Sequence, residues 1–145
     1  MNLVEQLPDL GTAGVFQLSE SAAAIEDAAA ELGFAAWQID CSGVASKEGL
    51  LRAIAETLGF PDWFGENWDA LEDCLTDLSW REAPGYILVL DHCGPLSRTD
   101  PEAFETALEI FDSAAEYWYD EEVPFWVFVG GADAEQFDVP PLGAE

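Results

Sequence analysis

Two runs, Tyr86-Ile-Leu-Val-Leu90 and Phe125-Trp-Val-Phe-Val129, are almost continuously apolar. A strand with one face in water alternates polar and apolar residues, so a run without alternation demands burial on both faces. That is the pattern of parallel strands covered by helices. Between the runs, Asp100 or Thr99 can cap a helix whose first position is Pro101. Phe104, Ala107, Leu108, Phe111, Ala115 and Trp118 then fall on one long inward stripe. Strands alternating with helices specify an α/β domain with a small parallel sheet of three to four strands.

The upstream chain continues this alternation. Residues 1–11, punctuated by Pro8 and Gly11, read as a loose lead, and Val15 to Leu18 reads as a short strand. Ser21 caps an alanine-rich helix ending near Gly33, and a second strand runs from Phe34 to about Asp40. Ser46 caps a third helix with Leu50, Leu51, Ile54 and Leu58 inward, which Gly59 ends before Pro61. The expected organisation is a strand-helix extension over 1–33 packed on the same domain, a main domain over 34–131, and a mobile acidic tail over 132–145. The length suits one domain.

The segment from Phe60 to Trp80 is different in kind. A turn runs through Pro61 and Gly65, Asn67 is placed to cap a helix, and Trp68, Leu71, Leu75 and Leu78 share one helical arc. Asp69, Glu72, Asp73 and Thr76 share the opposite arc. From Ala53 through Trp80 there is no Lys, Arg or His. Asp69 and Asp73, four residues apart, repel by roughly 0.2–0.5 kcal/mol, offset for Asp69 in part by the helix dipole. Such a face is either simply solvated or completed by a cation from another molecule. Trp63, Phe64 and Trp68 crowd the same turn. Phe64 and much of Trp68 are expected to lid the core, leaving Trp63 partly available as an interface anchor.

Composition narrows the choice of partner. A formal net charge of -26 excludes binding of nucleic acid by phosphate neutralisation and favours basic proteins instead. The 3 Cys, without paired spacing, do not form a disulfide framework and fit a reducing compartment. With neither a basic leader nor a long apolar run at the N-terminus, a cytoplasmic location without membrane contact is expected.

The stretch Pro61-Asp-Trp-Phe-Gly-Glu-Asn-Trp-Asp-Ala-Leu-Glu-Asp-Cys-Leu-Thr76 resembles the signature segment of the barstar family of ribonuclease inhibitors. Gly65, Glu66, Asn67, Asp69, Ala70, Leu71, Asp73, Cys74, Leu75 and Thr76 match identically and without a gap. The resemblance implies a barstar-like fold and a stoichiometric inhibitor, monomeric when free, without catalytic activity, cofactor or metal. In that family a helix and its preceding loop plug the cationic active site of a ribonuclease. Asp73 falls on the aspartate that occupies the phosphate position, and Asp69 on the second contributor. Trp63 falls on an interfacial tyrosine, and Gly65, Asn67 and Thr76 on smaller contacts. With Phe64, Trp68, Glu72 and Asp77 these residues form the expected partner-binding set. Three departures bear on the identity of the target. Glu72 replaces an aromatic, Asp77-Leu78 replaces Gly-Trp, and a glutamate on the later helix falls on Ser113, with Asp112 and Glu116 as neighbours. The family pattern begins at about the second strand, so the first strand-helix unit is an addition.

Other chemistries are weaker. Asp91-His92-Cys93 sits where a strand leaves the sheet, but adjacent residues point to opposite faces, so His92 and Cys93 would not meet. Asp69 with Asp73, or Glu66 with Asp69, lacks the apolar pocket that would split two carboxyl pKa values. Glu66, Asp69 and Asp73 lack the loop spacing of a calcium site, and no phosphate loop or zinc pattern is present. Besides an inhibitor, the remaining class is an acidic module that binds a basic non-ribonuclease partner or mimics nucleic acid for it.

Overall fold

Both apolar runs become interior strands of a parallel sheet. The computed structural model describes residues 3–11, 13–18, 21–61, 65, 67–132, 137 and 139–140. In chain order the elements are α1 (Leu3–Gln6), β1 (Val15–Gln17), α2 (Ala22–Leu32), β2 (Ala35–Asp40), α3 (Lys47–Leu58) and α4 (Trp68–Leu75). A 3-10 turn (Ser79–Arg81), β3 (Tyr86–Asp91), α5 (Gly94–Thr99), α6 (Pro101–Asp120) and β4 (Phe125–Val129) follow. The four strands lie in the order β1-β4-β3-β2, with Ala35 beside Tyr86, Tyr86 beside Phe125 and Val15 beside Val127.

Each face of the sheet has its own core, which is why the runs do not alternate. Tyr86, Leu88, Leu90, Phe125, Val127 and Val129 pack with the apolar residues of α3, α4 and α6. Ile87, Val89, Trp126 and Phe128 pack on the opposite side with Leu7, Ile25, Ala28 and Ala29. The helix boundaries follow local chemistry: Ser21 Oγ accepts from Ala24 N, Ser46 Oγ from Gly49 N and Asp100 Oδ1 from Ala103 N. Gly33 and Gly59 close α2 and α3 in the left-handed region, at φ 77° and 70°.

The expectation for the start of the chain is corrected. The supposedly loose lead contains α1, and Leu7 is fully buried. Its carbonyl accepts a 2.9 Å bond from Trp126 Nε1. A buried indole N–H needs an acceptor, and the start of the chain supplies it. Among the described residues of the tail, Phe137 meets Phe104 edge-on at 4.8 Å, and Val139 is buried. Gln17 donates from its backbone N to Pro140 O and from Nε2 to Val139 O, each at 2.8 Å. β1 is an edge strand, and this contact occupies backbone groups that an edge leaves open. The remaining tail positions lie outside the described residues. α5 was not anticipated either, because its six residues are too short to display a helical period.

Trp126 is therefore the test of the second layer. Trp126→Ala should cost about 3–5 kcal/mol in urea unfolding. Trp126→Phe should cost about 1–3 kcal/mol, because it leaves the Leu7 carbonyl buried and unpaired.

Candidate protein-docking face

α4 starts where the sequence places it. Asn67, in extended backbone at φ -135°, accepts from Ala70 N at 2.8 Å through Oδ1. Its Nδ2 donates to Gly65 O at 3.3 Å. A Cβ on Gly65 would come within 3.1 Å of that amide nitrogen, so the glycine keeps room for the cap. Leu71, Cys74 and Leu75 are fully buried and fix which way the helix faces.

The helix ends sooner than its apolar stripe suggests. Leu78 is buried as expected, but it lies past the end of α4 with φ 51°, in the left-handed region. That backbone costs about 1–2 kcal/mol for a non-glycine residue, and burying a leucine side chain returns about 1.5–3 kcal/mol. Burial of the side chain thus outweighs continuation of the helix. Thr76 Oγ1 donates back to Glu72 O at 2.8 Å, binding one of the last carbonyls.

The outward side is uncompensated acid. Asp69, Glu72, Asp73 and Asp77 are exposed and Thr76 is half-buried. Among the described residues, ion pairs join His92 to Asp40 at 3.2 Å and to Asp91 at 4.0 Å, and none reaches these four carboxylates. In particular, neither Arg52 nor Arg81 takes Asp73; the Arg81 guanidinium donates to Glu82 O. Beneath this face the Cys74 thiol is pushed up to about 11, first by burial and then by the charges of Asp77 and Asp73. It stays protonated and unreactive at neutral pH.

Trp68, at the first position of α4, is half-buried against the core as expected. Lys47 Nζ sits 5.3 Å above its ring, on one wall of a groove of about 500 Å³ that Glu102, Glu105 and Glu109 also line. Trp63, Phe64 and Glu66 lie outside the described residues.

The far end of α4 is held by a residue that local reading could not single out. Trp118 Nε1 on α6 donates to Leu75 O at 2.8 Å, across 43 residues of sequence. Its indole also packs against Tyr86, with ring centroids 5.1 Å apart. The sequence marks Trp118 only as part of an apolar stripe, so nothing local announces the clamp. Asp112 and Glu116 line a different groove, with Leu10, Ala13 and Tyr119, on the side of α6 away from α4.

His92 and Cys93 do not come together. The His92 side chain is exposed and its Nδ1 meets Asp40, whereas Cys93 is fully buried with Sγ 3.5 Å from Leu90 O. The Cys93 thiol is held far above its ordinary value, first by its hydrogen bond with Cys41 and then by burial. Among the described residues no group of three or more His, Cys, Asp or Glu is placed to hold a metal ion. No described helix is long and apolar enough to cross a membrane. Residues 34–130 match the family model described as Barstar (barnase inhibitor). No curated protein matches the chain.

Asp112 gives a pH signature distinct from docking. Partial desolvation in the groove it lines, then the like charges of Glu116 and Glu109, hold its carboxyl above the usual range. Its folded-state pKa exceeds the unfolded one, so the ionised form opposes folding at neutral pH. That penalty fades as pH falls through the raised value. Asp112→Asn should therefore raise Tm at neutral pH, with the gain vanishing in acid; thermal melts across the range measure it.

Proposed function

The chain belongs to the barstar family, and from that premise we propose that it is a stoichiometric protein inhibitor, of immunity or antitoxin type, that plugs the cationic RNA-binding site of a ribonuclease. The observation that carries this reading is the exposed Asp73 carboxylate, mounted on a helix fixed at both ends and without an ion pair among the described residues.

A ribonuclease holds RNA phosphates with Arg, Lys and His, and a rigid carboxylate offers the same charge and oxygen geometry. Asp73 takes the phosphate position and Asp69, one turn earlier on the same arc, takes a neighbouring cation. Glu72, Thr76 and Asp77 frame this centre on the helix side. Gly65, Asn67 and Trp68 frame it on the loop side, and Trp63 and Phe64 complete the proposed contact set. Burying all four outward carboxylates against neutral surface would be prohibitive, so the partner must bring positive charge. The inhibitory unit is the segment 34–131, with 1–33 as an added unit and the tail as an accessory. The replacements at Glu72, Asp77 and Leu78 point to a cationic ribonuclease or toxin domain other than barnase.

Inhibitor of this kind works by occupancy and needs no turnover of its own. It acts in the cytoplasm as a monomer, its net charge of -26 keeping copies apart. The test is inhibition of barnase and of any ribonuclease encoded beside this chain's gene, with RNA substrate as competitor. Asp73→Ala should weaken inhibition by roughly 30-fold or more, matching the 2–5 kcal/mol typical for truncating one partner of a buried charge pair. Unchanged inhibition by that variant would sink the proposal. Binding to a basic protein that is no ribonuclease, without competition from RNA, would favour the acidic-module reading instead.

A further inference from the structure

Tyr117 and Tyr119, near the end of α6, are the large hydrophobic side chains left exposed among the described residues, at 42% and 56%. They lie two positions apart on a helix, and so point about 200° away from one another. Their surroundings differ accordingly. Tyr119 lines the groove with Leu10, Ala13, Asp112 and Glu116. Tyr117 stands edge-on to Trp118, with ring centroids 5.1 Å apart, and Trp118 is the residue that grips Leu75 at the end of α4.

The helical period places Tyr117 on the α4 side. Ala103, Ile110 and Tyr117 recur every seven residues and drift by only about 20° per heptad. Ala103 and Thr106 share a groove with Trp68 at the start of α4. α4 and α6 therefore run side by side, Trp68 beside Ala103 and Leu75 beside Trp118, and Tyr117 comes level with the last turn of α4. We propose that Tyr117 extends the docking face beyond α4 and Asp77 as an aromatic platform for an arginine side chain of the inhibited ribonuclease. This inference rests on the function proposed above.

The chemistry selects that occupant. A phenol ring presents a negative face to a flat cation, and arginine stacks there better than lysine because its guanidinium is planar and weakly hydrated. Asp120 and Glu121, three and four positions after Tyr117 and so on its side of the helix, are both exposed, and these surroundings favour a cation over an apolar group. Tyrosine loses little side-chain entropy on docking and recurs as an interface anchor. Tyr119, the more exposed ring, faces the wrong way and serves as the internal control.

The experiment is calorimetric titration of barnase, and of any ribonuclease encoded beside this chain's gene, with wild type, Tyr117→Ala, Tyr117→Phe, Tyr119→Ala and Asp73→Ala. Matching Tm values confirm that the variants are folded. Tyr117→Ala should weaken binding roughly three- to thirtyfold, while Tyr117→Phe, which keeps the ring, and Tyr119→Ala stay within about twofold of wild type. If Asp73→Ala weakens binding but Tyr117→Ala does not, the platform is overturned and the inhibitor reading stands. Equal losses from Tyr117→Ala and Tyr119→Ala would also overturn it. If wild type binds neither ribonuclease, the inhibitor reading falls and the platform with it.

Discussion

Thirty carboxylates against four Lys and Arg leave this chain unable to neutralise itself. Two of these cations are engaged away from the acidic arc: Lys47 lies over Trp68, and Arg81 donates to the Glu82 carbonyl. Repulsion of this size must be withstood by burial, and the sheet provides it by carrying a core on each face. The added strand-helix unit contributes to this directly. α2 supplies Ile25, Ala28 and Ala29 to the second core, and β1 extends the sheet past β4. A sheet packed on both sides makes a stiff base for α4.

Stiffness matters because a displayed carboxylate binds well only if its position is already set. Asn67 fixes where α4 begins, Leu71, Cys74 and Leu75 fix its rotation, and Trp118 and Thr76 hold its last carbonyls. Asp69 and Asp73 then lose little freedom on meeting a partner. Leu71, Cys74 and Leu75 on the inner side of the same helix are fully buried. Within one turn the environment passes from core to open water.

Much of this was legible in the sequence, and the exceptions share a cause. β3 and β4 announced themselves because burial on both faces erases alternation, and α2, α3, α4 and α6 because Ser21, Ser46, Asn67 and Asp100 cap them locally. What escaped was settled by contacts distant in sequence. Leu7 is fixed by Trp126, Val139 and Pro140 by Gln17, and Leu75 by Trp118. The apolar arc marks Leu78 as buried, which it is, and as helical, which it is not, because an arc of apolar residues does not reveal where the backbone departs from it. At the docking face, the acidic arc was visible from spacing alone. The placement of Lys47 over Trp68, and of Trp118 at the end of α4, required the packing of helices that no local period encodes.

The central claim is that this protein meets its partner through unscreened negative charge held on a rigid helix. Stopped-flow mixing with the inhibited ribonuclease over a range of ionic strength tests it most directly, since screening acts within about 10 Å at 0.1 M salt. The association rate should fall steeply as salt rises while the dissociation rate changes little. An association rate indifferent to salt would contradict the account.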